Sequence, residues 1–146
     1  MIPYGRQDIN QDDIDAVIEV LNSDFITQGP LGPLFEQTVA NYCGAQFAVS
    51  ASSATAGLHI ACLALDLGPG DWLWTSPNTF VSSANCGLYC GAQVDFVDID
   101  PATYNMSAER LAEKLAEAEK TGKLPKIVVP VHLCGQSCDM EAINAL

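Results

Sequence analysis

Apolar residues recur at helical spacing near the start of the chain. Over residues 11–22 isoleucine, valine and leucine fall at i, i+3, i+4 and i+7, which predicts an amphipathic helix with Asn10 as its N-cap. A second helix is predicted from Gly32-Pro33 to Gly44, because proline suits a first helical turn and glycine suits a helix end. The residues expected on its inner face are Phe35, Val39 and Tyr42.

Beyond residue 46, short apolar runs alternate with longer helical patterns. The runs predicted as strands are 47–50, 72–75, 94–97 and 127–129. The helices predicted between and after them cover about 58–65, 79–89, 107–121 and the residues from Asp139 onward. This alternation is typical of an α/β layered fold with a mostly parallel sheet and flanking helices. Because the last helical pattern reaches Leu146, we expect the chain to be a fragment of a longer protein.

Composition and charge exclude several classes of protein. Hydrophobic residues make up 49% of the 146 residues, which is enough to fill a core. The net charge of −12 argues against nucleic-acid binding, because a phosphate backbone requires a basic surface. The apolar runs are too short to span a membrane, and the first residues do not resemble a signal peptide. We therefore expect a cytoplasmic protein that contacts neither nucleic acid nor membrane.

The six cysteines predict neither a disulfide framework nor a metal site. Several lie within apolar helical patterns, where a free cysteine acts as a small hydrophobic residue. His132, Cys134 and Cys138 offer three possible ligands, but their spacing is looser than that of zinc motifs. No metal ligand is therefore predicted.

The stretch from Val49 to His59 carries the most specific chemical signal. A predicted strand enters a turn of small residues, and a predicted helix leaves it. The first N–H groups of a helix lack intrahelical partners and attract anions, and small side chains let a phosphate approach the backbone. Thr55 adds a hydroxyl group. An ordinary N-capped helix gives the same pattern, so these residues alone leave both interpretations open.

Five segments read together resemble a known family. They are Thr27–Pro30, Ser52–Leu58, Ser76–Asn85, Val94–Asp100 and Pro130–Gln136. In order and spacing they are similar to the DegT/DnrJ/EryC1/StrS family, whose members are fold-type I aminotransferases that use pyridoxal 5′-phosphate to aminate nucleotide-linked keto-sugars. Such a resemblance implies that residues 1–146 form an N-terminal arm and the first half of the large cofactor-binding domain. The rest of that domain and a C-terminal small domain would follow.

The run from Trp74 to Ser107 looks most similar to the branch that makes pseudaminic acid, the UDP-4-amino-4,6-dideoxy-N-acetyl-β-L-altrosamine transaminases. These enzymes transfer an amino group from glutamate to C4 of a UDP-linked 4-keto-6-deoxy-N-acetyl hexose. The resemblance therefore implies a UDP-linked keto-sugar and glutamate as substrates. It also implies a homodimer with the active site at the subunit interface.

The same resemblance assigns roles to particular residues. Ala54, Thr55 and Ala56 match the turn that holds the cofactor phosphate, and Phe80 matches the aromatic residue that stacks on the pyridine ring. The residues that look like the arm lining the sugar-nucleotide pocket are Tyr4, Asp24, Phe25, Ile26 and Thr27. Simpler interpretations stay open, namely a core aromatic for Phe80 and a surface loop for the arm. The two histidines, His59 and His132, receive no role.

Two groups that the cofactor chemistry needs do not match any residue in this chain. The resemblance implies that the aspartate partner of the pyridine nitrogen and the Schiff-base lysine lie beyond Leu146. We therefore expect no catalytic residue among residues 1–146 and no transamination by this chain alone. Two alternatives remain: a related sugar dehydratase that has histidine in place of the lysine, and a non-catalytic fragment.

Overall fold

The computed structural model describes residues 5–146. The contacts divide the chain into two compact units, one ending at Ser50 and the other running from Ala51 to Leu146. We call them the helical unit and the sheet unit.

The helical unit contains two helices with well-formed ends. Helix α1 spans Gln11–Leu21, and its N-cap, Asn10, forms a capping box with Asp13, in which each side chain accepts from the other's backbone N–H. Helix α2 spans Leu31–Cys43 and ends at Gly44, whose φ of 65° is in the left-handed region that favours glycine. The predicted α1 and the predicted end of α2 are confirmed, whereas α2 begins before Gly32-Pro33.

The apolar side chains of the helical unit remain largely exposed. Ala40 is the one buried residue of α2, and α1 contains none. Of the inner face expected for α2, Val39 is half-buried, but Phe35 is 60% exposed and Tyr42 is 92% exposed, so the expectation is wrong for these two residues. The four apolar residues of the α1 stripe are between 44% and 60% exposed. The helices thus follow their local sequence signals without a core to bury them.

Residues 47–50 do not form the predicted strand. Phe47 and Val49 are each 78% exposed, and the segment pairs with no strand among the described residues. A β-strand depends on a hydrogen-bonded neighbour, and an apolar run does not supply one. The backbone N–H and hydroxyl of Ser50 instead donate to Glu36 Oε1 at 2.8 and 2.7 Å.

The sheet unit places helices on both faces of a parallel sheet. Its strands are β1 (Trp72–Thr75), β2 (Gln93–Phe96) and β3 (Ile127–Val129), and their order is β2-β1-β3. Its α-helices are α3 (Ala54–Ala64), α4 (Ser82–Tyr89), α5 (Ala108–Thr121) and α6 (Met140–Asn144), with a short 3-10 turn at Leu133–Gly135. The predicted α/β fold with a parallel sheet is confirmed.

Two hydrophobic clusters lie on opposite faces of the sheet, because successive side chains of β1 point to opposite sides. Leu73 is fully buried in a cluster with residues of α3 and α4, including Cys62 and Cys86. Trp74 is 2% exposed in the other cluster, which includes Leu111 of α5. Central strand β1 is therefore buried on both faces, as is usual for a parallel sheet.

Candidate functional site

The carboxyl edge of the sheet collects the loops that follow its strands. All three strands are parallel, so the segments that begin at Ser76, Val97 and Pro130 leave the sheet at the same edge. A short connection joins the end of α3 to the start of β1, so the end of this helix lies near the amino edge of the sheet. The first turn of α3 therefore points toward the carboxyl edge. Ligands of open α/β sheets bind outside the carboxyl ends of the strands. This edge is therefore where the sheet unit would hold a small molecule.

The first turn of α3 combines a helix cap with free backbone donors. Ser53 is the N-cap, and its hydroxyl accepts from the N–H of Ala56 at 3.2 Å. Within residues 5–146, the N–H groups of Ala54 and Thr55 and the hydroxyl of Thr55 have no hydrogen-bond partner. Ala54 is exposed and Thr55 is half-buried. Both interpretations left open by the sequence therefore apply, because the helix is capped and still offers donors to an anion.

Phe80 presents its ring to solvent in this structure. The side chain is 72% exposed and lies just before α4, which begins at Ser82, a few residues later than the sequence predicted. The alternative of a core aromatic is therefore wrong. An exposed aromatic face at the carboxyl edge offers a surface for a flat ligand ring. The neighbouring segment is held by a hydrogen bond of 2.9 Å between the hydroxyls of Thr79 and Ser83.

Ser76 is a feature of this edge that sequence reasoning missed. It directly follows β1 and is 1% exposed, and its Oγ has no partner among the described residues. The preceding residue, Thr75, donates its hydroxyl to Val129 O at 2.9 Å and so ties β1 to β3 where both strands end. A serine after a strand gives no sequence signal of burial, because serine is common in loops.

The lysines of the sheet unit are engaged away from the α3 turn. Lys126 Nζ lies 3.0 Å from Asp71, at the amino edge of the sheet, and Lys120 pairs with Glu117 along α5. Lys114 lies 2.7 Å from Asp95 and 4.9 Å from the centre of the Trp74 ring. Burial raises the pKa of Asp95, but the hydrogen bonds from Lys114 and from the Phe96 N–H together outweigh it, so the pKa lies below its ordinary value. These contacts give Lys114, Lys120 and Lys126 structural partners, and Lys123 Nζ lies 5.8 Å from the centre of the Trp72 ring.

Three cysteines lie together between α3 and α4. Cys62 and Cys86 are buried, and Cys90 packs against them. Burial, with a smaller contribution from the two neighbouring thiols, raises the pKa of Cys62 to about 12. A thiol that stays protonated is a poor nucleophile and a poor metal ligand. Because Cys62 and Cys86 are buried and Cys90 packs against them, these three serve as small core residues, as the sequence predicted, whereas Cys43 on α2 is exposed.

The predicted substrate arm lies in the helical unit. Phe25 and Ile26 line a groove of about 530 Å³ between the end of α1 and the start of α2, whereas Asp24 and Thr27 do not line it. Gly29 permits this arrangement, since a Cβ there would lie 2.8 Å from Phe25 Cβ. Tyr4, the fifth predicted residue of the arm, lies outside the described residues.

Residues 5–146 contain neither a metal-binding cluster nor a membrane-spanning helix. No group of three or more histidine, cysteine, aspartate or glutamate side chains is placed to hold a metal ion. Among these residues, no helix is long and apolar enough to cross a membrane.

Comparison with known proteins identifies the family. The sequence profile of the DegT/DnrJ/EryC1/StrS aminotransferase family matches residues 7–146. The chain belongs to this family. It spans about a third of the length of the curated relatives it matches (35–36%).

Two relatives show how strong the similarity is. A protein of Shewanella sediminis, named UDP-4-amino-4-deoxy-L-arabinose–oxoglutarate aminotransferase, is 43% identical over 99% of this chain and 36% of its own length. The Helicobacter pylori PseC structure, described as an aminotransferase of pseudoaminic acid biosynthesis, superposes with a TM-score of 0.88. It is 28% identical, and the match covers 98% of this chain and 37% of that one.

A third relative concerns the cofactor. The Streptococcus pneumoniae protein Spr1654 has been solved in a PLP form and superposes with a TM-score of 0.87 at 29% identity, over 99% of this chain and 35% of that one. The DegT/DnrJ/EryC1/StrS aminotransferases depend on pyridoxal phosphate. The free N–H groups of Ala54 and Thr55, and the small side chains around them, suit a phosphate group.

Proposed function

We propose that this chain is the part of a nucleotide-sugar aminotransferase that binds the cofactor phosphate. The complete enzyme transfers an amino group from glutamate to C4 of a UDP-linked 4-keto-sugar. One observation carries the proposal: the N–H groups of Ala54 and Thr55 are unpaired donors at the carboxyl edge of the sheet, in a chain that belongs to an aminotransferase family. When bound, pyridoxal phosphate supplies an electron sink that lets an amino group be exchanged at a carbonyl carbon.

The residues of the sheet unit bind and orient in this proposal. The N–H groups of Ala54 and Thr55 and the Thr55 hydroxyl donate to the phosphate, while the Ala56 N–H keeps the cap closed through Ser53. Phe80 covers one face of the cofactor ring and excludes water from it. In the helical unit, Phe25 and Ile26 offer apolar contacts to the sugar nucleotide, with Tyr4, Asp24 and Thr27 as further candidates.

The preferred sugar is a UDP-linked 4-keto-6-deoxy-N-acetyl hexose, the substrate of the pseudaminic acid pathway. The similarity to PseC over 98% of the chain supports this choice. A second candidate is a UDP-linked 4-keto pentose, which is favoured by the 43% identity to the Shewanella sediminis enzyme. Both sugars carry the ketone at C4, so the proposed chemistry is the same for both.

A paired assay separates the two sugars. Full-length enzyme is supplied with pyridoxal phosphate, glutamate and each keto-sugar in turn, and formation of 2-oxoglutarate is followed. Our account predicts a higher kcat/KM for the N-acetyl hexose. A higher value for the pentose would replace the preferred sugar with the second candidate, and no turnover of either sugar would contradict the proposed function.

The proposal also assigns no covalent cofactor bond to the four lysines present here. Borohydride reduction of the full-length enzyme with its cofactor, followed by peptide mapping, should leave Lys114, Lys120, Lys123 and Lys126 unmodified. A single stoichiometric adduct on one of them would mean that the catalytic centre has been misplaced.

We further propose that the full-length enzyme is a cytoplasmic homodimer. Sedimentation of the full-length enzyme should then show no active monomer.

A further inference from the structure

The loop that follows β3 has an unfavourable backbone conformation. Cys134 and Gly135 have φ values of 54° and 84°, so two consecutive residues occupy the left-handed region. A non-glycine residue there costs free energy and persists only when the surrounding structure holds it. Part of this support lies within the loop, residues 132–138, where the N–H of Gly135 donates to His132 O at 3.1 Å and that of Gln136 to Leu133 O at 3.0 Å. The rest must come from contacts outside the loop.

Asn105 supplies those contacts from the loop between β2 and α5. It is 3% exposed, and its Nδ2 donates to Gln136 O at 3.0 Å and to Ser137 O at 3.1 Å. Its Oδ1 accepts from the N–H of Leu133 at 3.0 Å. The backbone of Asn105 is itself held, because its carbonyl accepts from the Asp100 N–H at 2.9 Å. One buried amide thus joins both ends of the loop to a fixed point.

The loop in turn fixes the ring of His132. The N–H of Cys138 donates to His132 Nδ1 at 3.1 Å, and Cys138 Sγ donates to Val131 O at 3.2 Å. Since Nδ1 is an acceptor, the neutral imidazole carries its proton on Nε2. His132 is exposed and lies just beyond the carboxyl end of β3. Its Nε2 has no hydrogen-bond partner among the described residues, and His132 follows a strand end at the same edge of the sheet as the α3 turn.

We propose that Asn105 is a positioning residue that holds loop 132–138 so that His132 can donate from Nε2 to an oxygen of the bound small molecule. This inference rests on the proposed function, which puts the cofactor and the keto-sugar at this edge. The recognised chemistry is a hydrogen-bond acceptor oxygen, which either molecule could provide.

Alkylation of Cys138 tests the loop without reference to activity. Full-length Asn105→Ala is compared with Asn144→Ala, the same truncation at an exposed side chain of α6. Cys138 is 5% exposed, so its alkylation requires the loop to open. We expect faster alkylation of Cys138, by about tenfold or more, in Asn105→Ala only. Cys62 and Cys86, in the core between α3 and α4, should stay protected and so report an intact fold.

Asn105→Ser provides a second variant for the case in which truncation to alanine unfolds the protein. Its hydroxyl is neutral and can keep at most part of the three contacts with the loop, so Cys138 should become reactive to a smaller extent. If Cys138 stays protected in every variant that keeps Cys62 and Cys86 protected, Asn105 does not hold the loop.

A double-mutant cycle tests the link to ligand binding. Asn105→Ala, His132→Leu and the double variant are assayed for cofactor Kd and for keto-sugar KM and kcat. We expect both single changes to affect the same constant, either the cofactor Kd or the keto-sugar KM. The double variant should add little, because both changes remove the same hydrogen bond between His132 and the ligand. A shift in Kd identifies the cofactor as acceptor, and a shift in KM alone identifies the sugar.

Two results would overturn the inference in different ways. If the effects of the two changes on Kd or KM are additive, or if His132→Leu changes neither constant, the loop has only a structural role. A wild-type enzyme that binds no pyridoxal phosphate would contradict the proposed function, and the ligand role of His132 would fail with it. The alkylation result would still decide whether Asn105 fixes the loop.

Discussion

The two units of the chain use similar local signals with different results. In the helical unit, α1 begins at a complete capping box and α2 ends at a left-handed glycine, yet Ala40 is the one buried residue of these two helices. In the sheet unit, α5 begins at the Ser107 cap and ends at a left-handed glycine, and it buries Leu111 and Ala118. Caps set where a helix begins and ends, whereas burial requires a partner surface, which here is the sheet.

This difference also applies to the candidate binding region of each unit, taken by itself. The α3 turn is attached to a sheet whose central strand is buried on both faces, so its free N–H groups have a fixed direction. The groove of the helical unit is lined by side chains such as Phe25 and Ile26, which are 59% and 71% exposed. The phosphate site is therefore the better organised of the two.

The largest expected difference between the units is in the free energy of unfolding, measured by truncating one leucine in each. Leu73→Ala removes a side chain with no exposed surface and should lower the free energy of unfolding by about 2–5 kcal/mol. Leu34→Ala changes a side chain that is 60% exposed, so its loss should stay within about 0.5 kcal/mol. Urea unfolding of both variants measures the difference, and equal losses would show that the helical unit has a core comparable to that of the sheet unit.

A matched pair of helix ends comes next. Gly44 and Gly122 have φ values of 65° and 68°, and no atom lies within 4 Å of a Cβ built on either. Replacing either by alanine therefore adds backbone strain without a clash, at a cost of about 1 kcal/mol. Gly122→Ala should lower the urea midpoint, whereas Gly44→Ala should mainly reduce the helical circular dichroism signal. A midpoint unchanged by Gly122→Ala would argue that the end of α5 is not part of the cooperative fold.

The smallest effect concerns the ion pair between Asp95 of β2 and Lys114 of α5. The pKa of Asp95 is lowered below its ordinary value of 3.8, so the pair stabilises the fold above that pH and its contribution is lost as the pH falls through the lower folded pKa. Both side chains are partly exposed, so Asp95→Asn should cost only about 0.2–1 kcal/mol at neutral pH. The cost should vanish in strongly acidic solution, and a pH-independent cost would point to packing instead of charge.

The sequence predicted the sheet unit better than the helical one, for a physical reason. Strands 72–75 and 127–129 have the predicted bounds, and β2 is shifted by one residue, because short apolar runs that alternate with helical patterns are typical of a parallel sheet. Residues 47–50 have the same kind of pattern but are not a strand, since pairing depends on a distant neighbour that a local pattern does not reveal.

The candidate site was predictable only where it depends on local backbone geometry. The free donors at Ala54 and Thr55 follow from a turn of small residues before a helix. Sequence patterns missed the burial of Ser76 and the three contacts that Asn105 makes with residues 28 to 32 positions away. Such contacts depend on the packing of separate loops, and asparagine in a loop has no distinctive local signal.

Titration of the full-length protein with pyridoxal phosphate tests the central claim most directly. The comparison is between wild type, Thr55→Val and the control Thr38→Val, which removes an exposed hydroxyl on α2. Because a hydrogen bond to a charged group contributes about 1.5–3 kcal/mol, we predict that Thr55→Val raises the cofactor Kd by about tenfold to a hundredfold. Thr38→Val should leave it unchanged. Equal cofactor affinity in all three proteins would contradict the assignment of the phosphate site to the first turn of α3.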